Sequence, residues 1–405
     1  MRTNHSLHST LTAAALLAAA TLTANAQTWQ TVGDFQYNPS YYAAGSDIGT
    51  DPSGQILYSV GGLALDANDT TRLALVNVSY DQGTSWTPLE QAPDPGWTWG
   101  HYRAVASAGN RLFIGGNGNY ADGSFGWLIR ESVDGGTNWA STDAVADTGC
   151  SDIAIHPLTG DVYAGGSGTT LGRVIRKRPA GASQFTTVYS TGPSDIGIVW
   201  SIAFHPNGSV IAAGNKVDAT TRAASWVVQR SATGDAGTWQ IVDTFSTGEW
   251  TGYSAGGCLV TTAGTIYVSG SAYNSRKHKG FWVVRTSADG GNTWTLSDNF
   301  NLGGSQVQVF EITQDANGNF YVCGQASDNS GVHWIVRKGA WTTTTVKGKT
   351  VTSLAWSTSD AYQLAPGKAA LPLGITVDAS GNVFACGRAQ DAAGIEHWIV
   401  RRLAP

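Results

Sequence analysis

Three carboxylates and one guanidinium stand at the head of short apolar runs that otherwise look alike. They are Asp47 before Ile48-Gly49-Thr50, Arg103 before Ala104-Val105-Ala106, Asp152 before Ile153-Ala154-Ile155, and Glu311 before Ile312-Thr313-Gln314. Carboxyl groups gathered in one opening can divide acid, base and nucleophile roles. Glycosidic cleavage with retention needs a pair about 5 Å apart, and inversion needs about 6.5–9.5 Å. An arginine between two carboxylates would instead make an ion-pair cluster, which concentrates charge for purely structural reasons. Asp47, Asp152 and Glu311 are therefore catalytic candidates, and an Asp47–Arg103–Asp152 ion-pair cluster is the alternative.

Large rings lie just upstream. Trp97, Trp99, His101 and Tyr102 lead into Arg103, Tyr41 and Tyr42 precede Asp47, Trp200 precedes Ser201, and Trp250 stands between Glu249 and Tyr253. A second set of loops carries Tyr120, Asp122, Tyr273, Arg276, Lys277, His278 and Lys279. Exposed indole and phenol rings stack on the apolar faces of sugars while polar neighbours bind hydroxyls. The same rings can pack between strands. The ligand-binding candidates are Arg103, Trp97, Trp99, His101, Tyr102, Trp200, Trp250, Tyr273 and Arg276. No G-x-S-x-G elbow, H-E-x-x-H pair, P-loop or dinucleotide fingerprint occurs. His156 and His205 sit in His-Pro turns, and His333 and His397 precede tryptophans, with no zinc-ligand spacing. No cofactor or metal is expected.

The elements that position these residues repeat. An apolar or aromatic pair, two small residues and a glycine recur as LYSVG, LFIGG, VYAGG, VIAAG, IYVSG, FYVCG and VFACG, ending at Gly61, Gly116, Gly166, Gly214, Gly270, Gly324 and Gly387. Each is preceded by a short apolar strand and a turn. Each is followed by a third strand, clearest from Trp127, Trp226, Trp282, Trp334 and Trp398, and then by a fourth. These are seven units of four strands, A to D, joined by glycine-containing hairpins. Seven such units make an all-β, seven-bladed β-propeller. The last unit lacks strand D, and Thr28-Trp29-Gln30-Thr31-Val32 matches the strand D segment Thr238-Trp239-Gln240-Ile241-Val242. The N-terminal strand is thus expected to complete the last blade and close the ring. In a propeller the head of strand A lines the channel mouth. Counting back from the A-to-B turns, that ring reads Asp47, Arg103, Asp152, Ser201, Gly257, Glu311 and Gly374.

Three C-to-D turns read SYDQGTSW, SVDGGTNW and SADGGNTW, and a longer copy reads SATGDAGTW. These S-x-D-x-G-x-x-W turns resemble the Asp-box, or BNR, repeat. Similar boxes occur in sialidases, xyloglucan-hydrolysing glycosidases, sortilin-type receptors and photosystem II assembly factors. The resemblance implies a propeller and leaves the activity open among these. A sialidase-like site would need three arginines around a carboxylate, a tyrosine–glutamate pair and an acid aspartate. The arginine-led motif usual near the start of such enzymes is missing. Hairpin chemistry accounts for every fixed position of the turn, so Asp81, Asp134 and Asp289 read as structural. The arginine recurring after strand C (Arg130, Arg176, Arg285, Arg337, Arg401) reads as structural too.

Residues 1–26 carry Arg2, an apolar LTAAALLAAATLT run and Ala24-Asn25-Ala26, the three parts of a secretory signal cleaved after Ala26. The propeller then spans 27–405, secreted or periplasmic. Charged residues make up 13% and the net charge is −5, which gives no basic face for nucleic acid or anionic lipid. No second long apolar run suggests membrane insertion. A monomer that binds an extracellular glycan or protein ligand is expected, with a sialidase-like glycoside hydrolase and a protein-assembly scaffold as alternatives. Cys150, Cys258, Cys323 and Cys386 are expected as buried thiols, since equivalent positions in successive units stand too far apart to bridge.

Overall fold

The structure is a computed structural model that describes residues 28–90, 97–247, 249–346 and 349–405. The expected signal segment and its cleavage site lie outside these residues. The described chain is an all-β propeller of four-stranded blades. Among the described residues no helix is long and apolar enough to cross a membrane. Within each unit the strands pair antiparallel in the order A-B-C-D.

Among the described residues the seven sequence units form six hydrogen-bonded sheets rather than seven separate ones. Units 1 and 2 share an eight-stranded sheet because one parallel bridge, Arg72 with Trp99, joins strand C of the first to strand A of the second. Unit 5 gains a short extra strand, Ser246–Thr247, on its inner edge. Strand Gln30–Phe35 pairs antiparallel with Glu396–Leu403, placing Gln30 opposite Arg402 and Phe35 opposite Trp398. Unit 6 departs in another way: its C and D strands, Gly331–Val346 and Lys349–Tyr362, run far past the others as a long hairpin.

Strand B is sandwiched on both faces, and Leu57–Ala64 is buried at every position. Strand D faces water, and Thr295–Phe300 is mostly open. Between units pack the strand C indoles, Trp127, Trp226, Trp282, Trp334 and Trp398, all fully buried. The signature glycine has a steric cause. In all seven units strand A carries a β-bulge opposite it. The bulge drives a strand A carbonyl to where a Cβ would stand. That oxygen would lie 2.1 Å from a Cβ at Gly61, 2.1 Å at Gly116, 2.0 Å at Gly166 and 2.3 Å at Gly324. Only glycine admits so close a backbone.

The outer face is stapled by charge. The arginine after strand C reaches back to an aspartate on strand D of the preceding unit: Arg176 to Asp143 (2.6 Å), Arg337 to Asp298 (2.8 Å) and Arg401 to Asp360 (2.7 Å). Arg285 does the same with Asp243 at 3.4 Å. The C-to-D turns are tied internally. In unit 5, Ser287 donates to Asp289 (2.8 Å), and Asp289 accepts the Thr293 N–H and hydroxyl (2.9 and 2.6 Å). Such bonds hold Asp81, Asp134 and Asp289 down at about 2. Trp86 and Trp294 donate to Val32 and Val242 on the outer strand of the neighbouring unit. The four cysteines are free and buried.

Candidate functional site

The strand A bulges, lined up around the axis, open a cavity of about 520 Å³ at the loop-rich mouth. A bulge places two residues opposite one and re-aims a side chain. The bulge residue is Ser46 in unit 1, Arg103 in unit 2, Ser151 in unit 3, Trp200 in unit 4 and Leu373 in unit 7. All five line the cavity, with Phe310 of unit 6. The next residue inward is the true ring position: Asp47, Ala104, Asp152, Ser201, Gly257, Glu311 and Gly374. Arg103 therefore does not belong to the ring of carboxylates, which corrects the alignment. The physical reason is that strand Trp97–Ala108 runs directly into a two-residue turn, Ala108 pairing with Arg111, so counting back from the turn slips by one residue.

Four of the ring side chains staple one unit to the next. Asp47 accepts the Val105 N–H (2.9 Å) and its own neighbour's, Ile48 (2.7 Å). Asp152 accepts Ile202 N–H (2.6 Å), Ser201 accepts Cys258 N–H (3.1 Å), and Glu311 accepts Ile375 N–H (2.6 Å). Burial pushes Asp47 up to about 6. It pushes Asp152 up to about 7, with the Asp47 charge adding to the effect. Glu311 is raised well above the carboxylate range by burial, then by the charges of Asp47 and Asp152. Like charges gathered in a water-poor site disfavour ionisation. The alternative of an Asp47–Arg103–Asp152 cluster is not what forms: Arg103 makes no ion pair or hydrogen bond among the described residues.

The same cavity also carries basic groups. Arg72 pairs with Asp69 through both nitrogens of its fork, one of them at 2.9 Å. It also donates to His101 Nδ1 (3.1 Å) and lies over the Tyr42 and Trp99 rings at 4.1 and 4.8 Å. An arginine can only donate, so His101 Nδ1 accepts and Nε2–H donates to Ser46 Oγ (2.6 Å). Burial, then Arg103, Arg72 and Arg388, drives the His101 pKa well below its ordinary value and keeps the ring neutral. Arg388 donates to Tyr42 Oη (2.5 Å) and pairs with Glu396 (3.1 Å). Arg103 stands between these groups with its guanidinium open to the cavity, its pKa lowered by lost hydration and by Arg388 and Arg72.

Seven expected site residues meet here: Asp47, Asp152, Glu311, Arg103, Trp99, His101 and Trp200. Five do not. Trp97 and Tyr102 are buried in the core between units. Residues two apart share a strand face, so Trp99, His101 and Arg103 point together while Tyr102 points away. Trp97 has their parity, but a second bulge between Trp97 and Trp99 turns it inward. Trp250 packs on Phe245 and Phe281. Tyr273 lies beside Tyr253 and His278. Arg276 is exposed and pairs with Glu249 at 3.1 Å. Arg72 and Arg388 were missed because they lie on strands C and B. Arg388 left a signal: it follows its signature glycine where other units carry Gly62, Asn117, Ser167, Asn215, Ser271 or Gln325.

No protein-family model matches the chain, and no curated protein matches it. Solved structures do. YCF48 bound to D1 peptide superimposes with a TM-score of 0.50 at 12% identity, over 93% of this chain and 97% of that one. A Dyadobacter fermentans protein of unknown function gives 0.51 at 12%, over 93% and 99%. An ancestral GH74 enzyme gives 0.56 at 15%, over 92% of this chain and 47% of that one. At these identities the likeness is one of fold.

Proposed function

We propose that this chain is a secreted, seven-bladed binding propeller that takes glycan or cell-envelope material into the cavity at its loop-rich mouth. The seven-blade count treats units 1 and 2 as two blades joined by their single bridge, with Gln30–Phe35 as the closing strand of the last. The three Asp-box-like turns fasten blades on the far face. The observation that carries the binding reading is Arg103: a guanidinium open to a cavity walled by Trp99, Trp200 and Phe310, with no partner of its own among the described residues. Aromatic walls with a few directed polar groups suit a sugar or a substituted envelope fragment.

The test is a glycan array combined with pull-down of envelope fragments. Binding should fall at least tenfold with Arg103→Ala or Trp99→Ala and hold with Arg276→Ala. Capture of a protein alone, indifferent to Trp99 and Arg103, would move the reading to an assembly scaffold.

The glycoside-hydrolase reading has its own support. Asp152, held at about 7, has the pKa of a general acid. Three arginines flank the cavity, and Tyr42 stands beside Glu396 and Arg388. Against it, one oxygen of each ring carboxylate is committed to the next unit's backbone, and burial raises the Tyr42 hydroxyl rather than activating it. Release of aryl aglycones by the wild type, lost in both Glu311→Gln and Asp152→Asn, would replace the binding-only reading.

A further inference from the structure

Resting on the cavity as a binding site, we propose that the group it takes is dipolar: a carboxylate and an ammonium carried on one small unit. Two sets of charged groups line the same cavity: Arg72, Arg103 and Arg388, and, one residue inward of the strand A bulges, Asp47, Asp152 and Glu311. The two poles do not neutralise each other. Among the described residues no ion pair joins any of these arginines to any of these carboxylates. Arg72 and Arg388 already have Asp69 and Glu396, which leaves Arg103 as the uncompensated cation. The three carboxyls have no cation within ion-pairing distance, and each spends an oxygen on a neighbouring backbone N–H. The other oxygen of Glu311 has no hydrogen-bond partner among the described residues.

An uncompensated guanidinium is matched best by a carboxylate, which can occupy its fork with two bonds. A compact donor cation offsets the cost of ionising the three raised carboxyls, and an ammonium brings three N–H bonds. The same cavity is lined by apolar side chains, Trp200, Phe310, Leu371 and Leu373. That lining suits the few carbons separating the charges and strengthens both contacts by excluding water. A ligand with only one of the two charges leaves the opposite pole exposed and unsatisfied.

The experiment is calorimetric titration of the intact protein at pH 7 with acetate, butylammonium, 4-aminobutanoate, 6-aminohexanoate and muramic acid. The dipolar probes should bind at least tenfold more tightly than acetate or butylammonium. Arg103→Met should reduce 4-aminobutanoate to the level of butylammonium, and Glu311→Gln, which keeps an acceptor for Ile375 N–H, should weaken it toward acetate. Melting curves of both variants must match the wild type, with Arg103→Lys as a further check that charge and not fold is lost. Tighter binding of muramic acid than of the linear acids supports the proposal and assigns the group to a sugar; the reverse order supports it and assigns an amino-acid-bearing fragment. Equal affinity for acetate and 4-aminobutanoate overturns the proposal while leaving an anion-binding mouth. No binding by any probe, with glycan-array binding still lost in Trp99→Ala, overturns it and leaves the binding reading standing. Silence in both assays sinks both.

Discussion

Asp152 shows how a single carboxyl here serves the frame at a cost. Its folded pKa, about 7, lies above the ordinary 3.8, so between those values the folded state holds a proton that the unfolded state has lost. Stability must therefore fall as pH rises from about 4 to about 7. Asp152→Asn keeps an acceptor for the Ile202 N–H and removes the charge. We predict that it matches the wild type at pH 4.5 and exceeds it at pH 8 by on the order of 1–3 kcal/mol, read from urea midpoints. An unchanged pH slope in the variant would assign the dependence to other groups. Residue-level placement was only partly legible in the sequence. Disagreement among repeats singled out Asp47, Asp152 and Glu311, but a bulge that re-aims one side chain leaves no mark in residue spacing. Arg103 was therefore placed one step from its real position.

At the scale of elements, contacts between neighbouring units decide stability. Arg337 and Asp298 are both nearly buried and joined by two bonds. Removing one partner strands the other, so Arg337→Met should cost about 3–5 kcal/mol. Arg276→Met, which opens the exposed pair with Glu249, should cost less than about 1 kcal/mol. Denaturant melts of the two variants side by side test this contrast. The signature glycines make a sharper case. A Cβ at Gly116 would lie 2.1 Å from the His101 carbonyl, whereas one at Gly109 would meet nothing within 4 Å. Gly116→Ala should abolish folding or cut the melting temperature sharply. Gly109→Ala, strained only by its φ of 60°, should cost about 1 kcal/mol. These elements were legible because each glycine is obligatory seven times over. Arg72 was not, because nothing in one strand's sequence says which strand of another unit it will face.

At the scale of the molecule, the first strand bonds to the last. Glu396–Leu403 would be an open, largely buried edge without Gln30–Phe35. We predict that a chain starting at residue 37 self-associates or aggregates relative to the intact chain on size-exclusion chromatography, and that a synthetic 28–36 peptide added during refolding restores the elution position of the intact chain. A monomeric, stable truncation would mean that the edge is covered in another way. Pairing of the two termini was readable because the missing fourth strand of unit 7 and the surplus strand at the start have matching sequences. The shared sheet of units 1 and 2 was not, since it depends on one bridge between residues with no pairing signature.

The bulge has a consequence for how such a protein can change over generations. Next to the bulge, the constraints on the frame fall on the glycine opposite and, in four units, on the staple one residue inward. The bulge residue itself varies: it is serine, arginine, serine, tryptophan, glycine, phenylalanine and leucine in turn. Gly256 is hemmed in, since a Cβ there would meet the Val309 carbonyl at 2.0 Å, Ser46 is bonded to the buried His101, and Phe310 packs against a core cluster. The other four, Arg103, Ser151, Trp200 and Leu373, can therefore be rewritten singly, each step testing a new chemistry without wagering the fold. A lineage built on this frame can exchange its ligand by drift at the mouth while its outline stays the same.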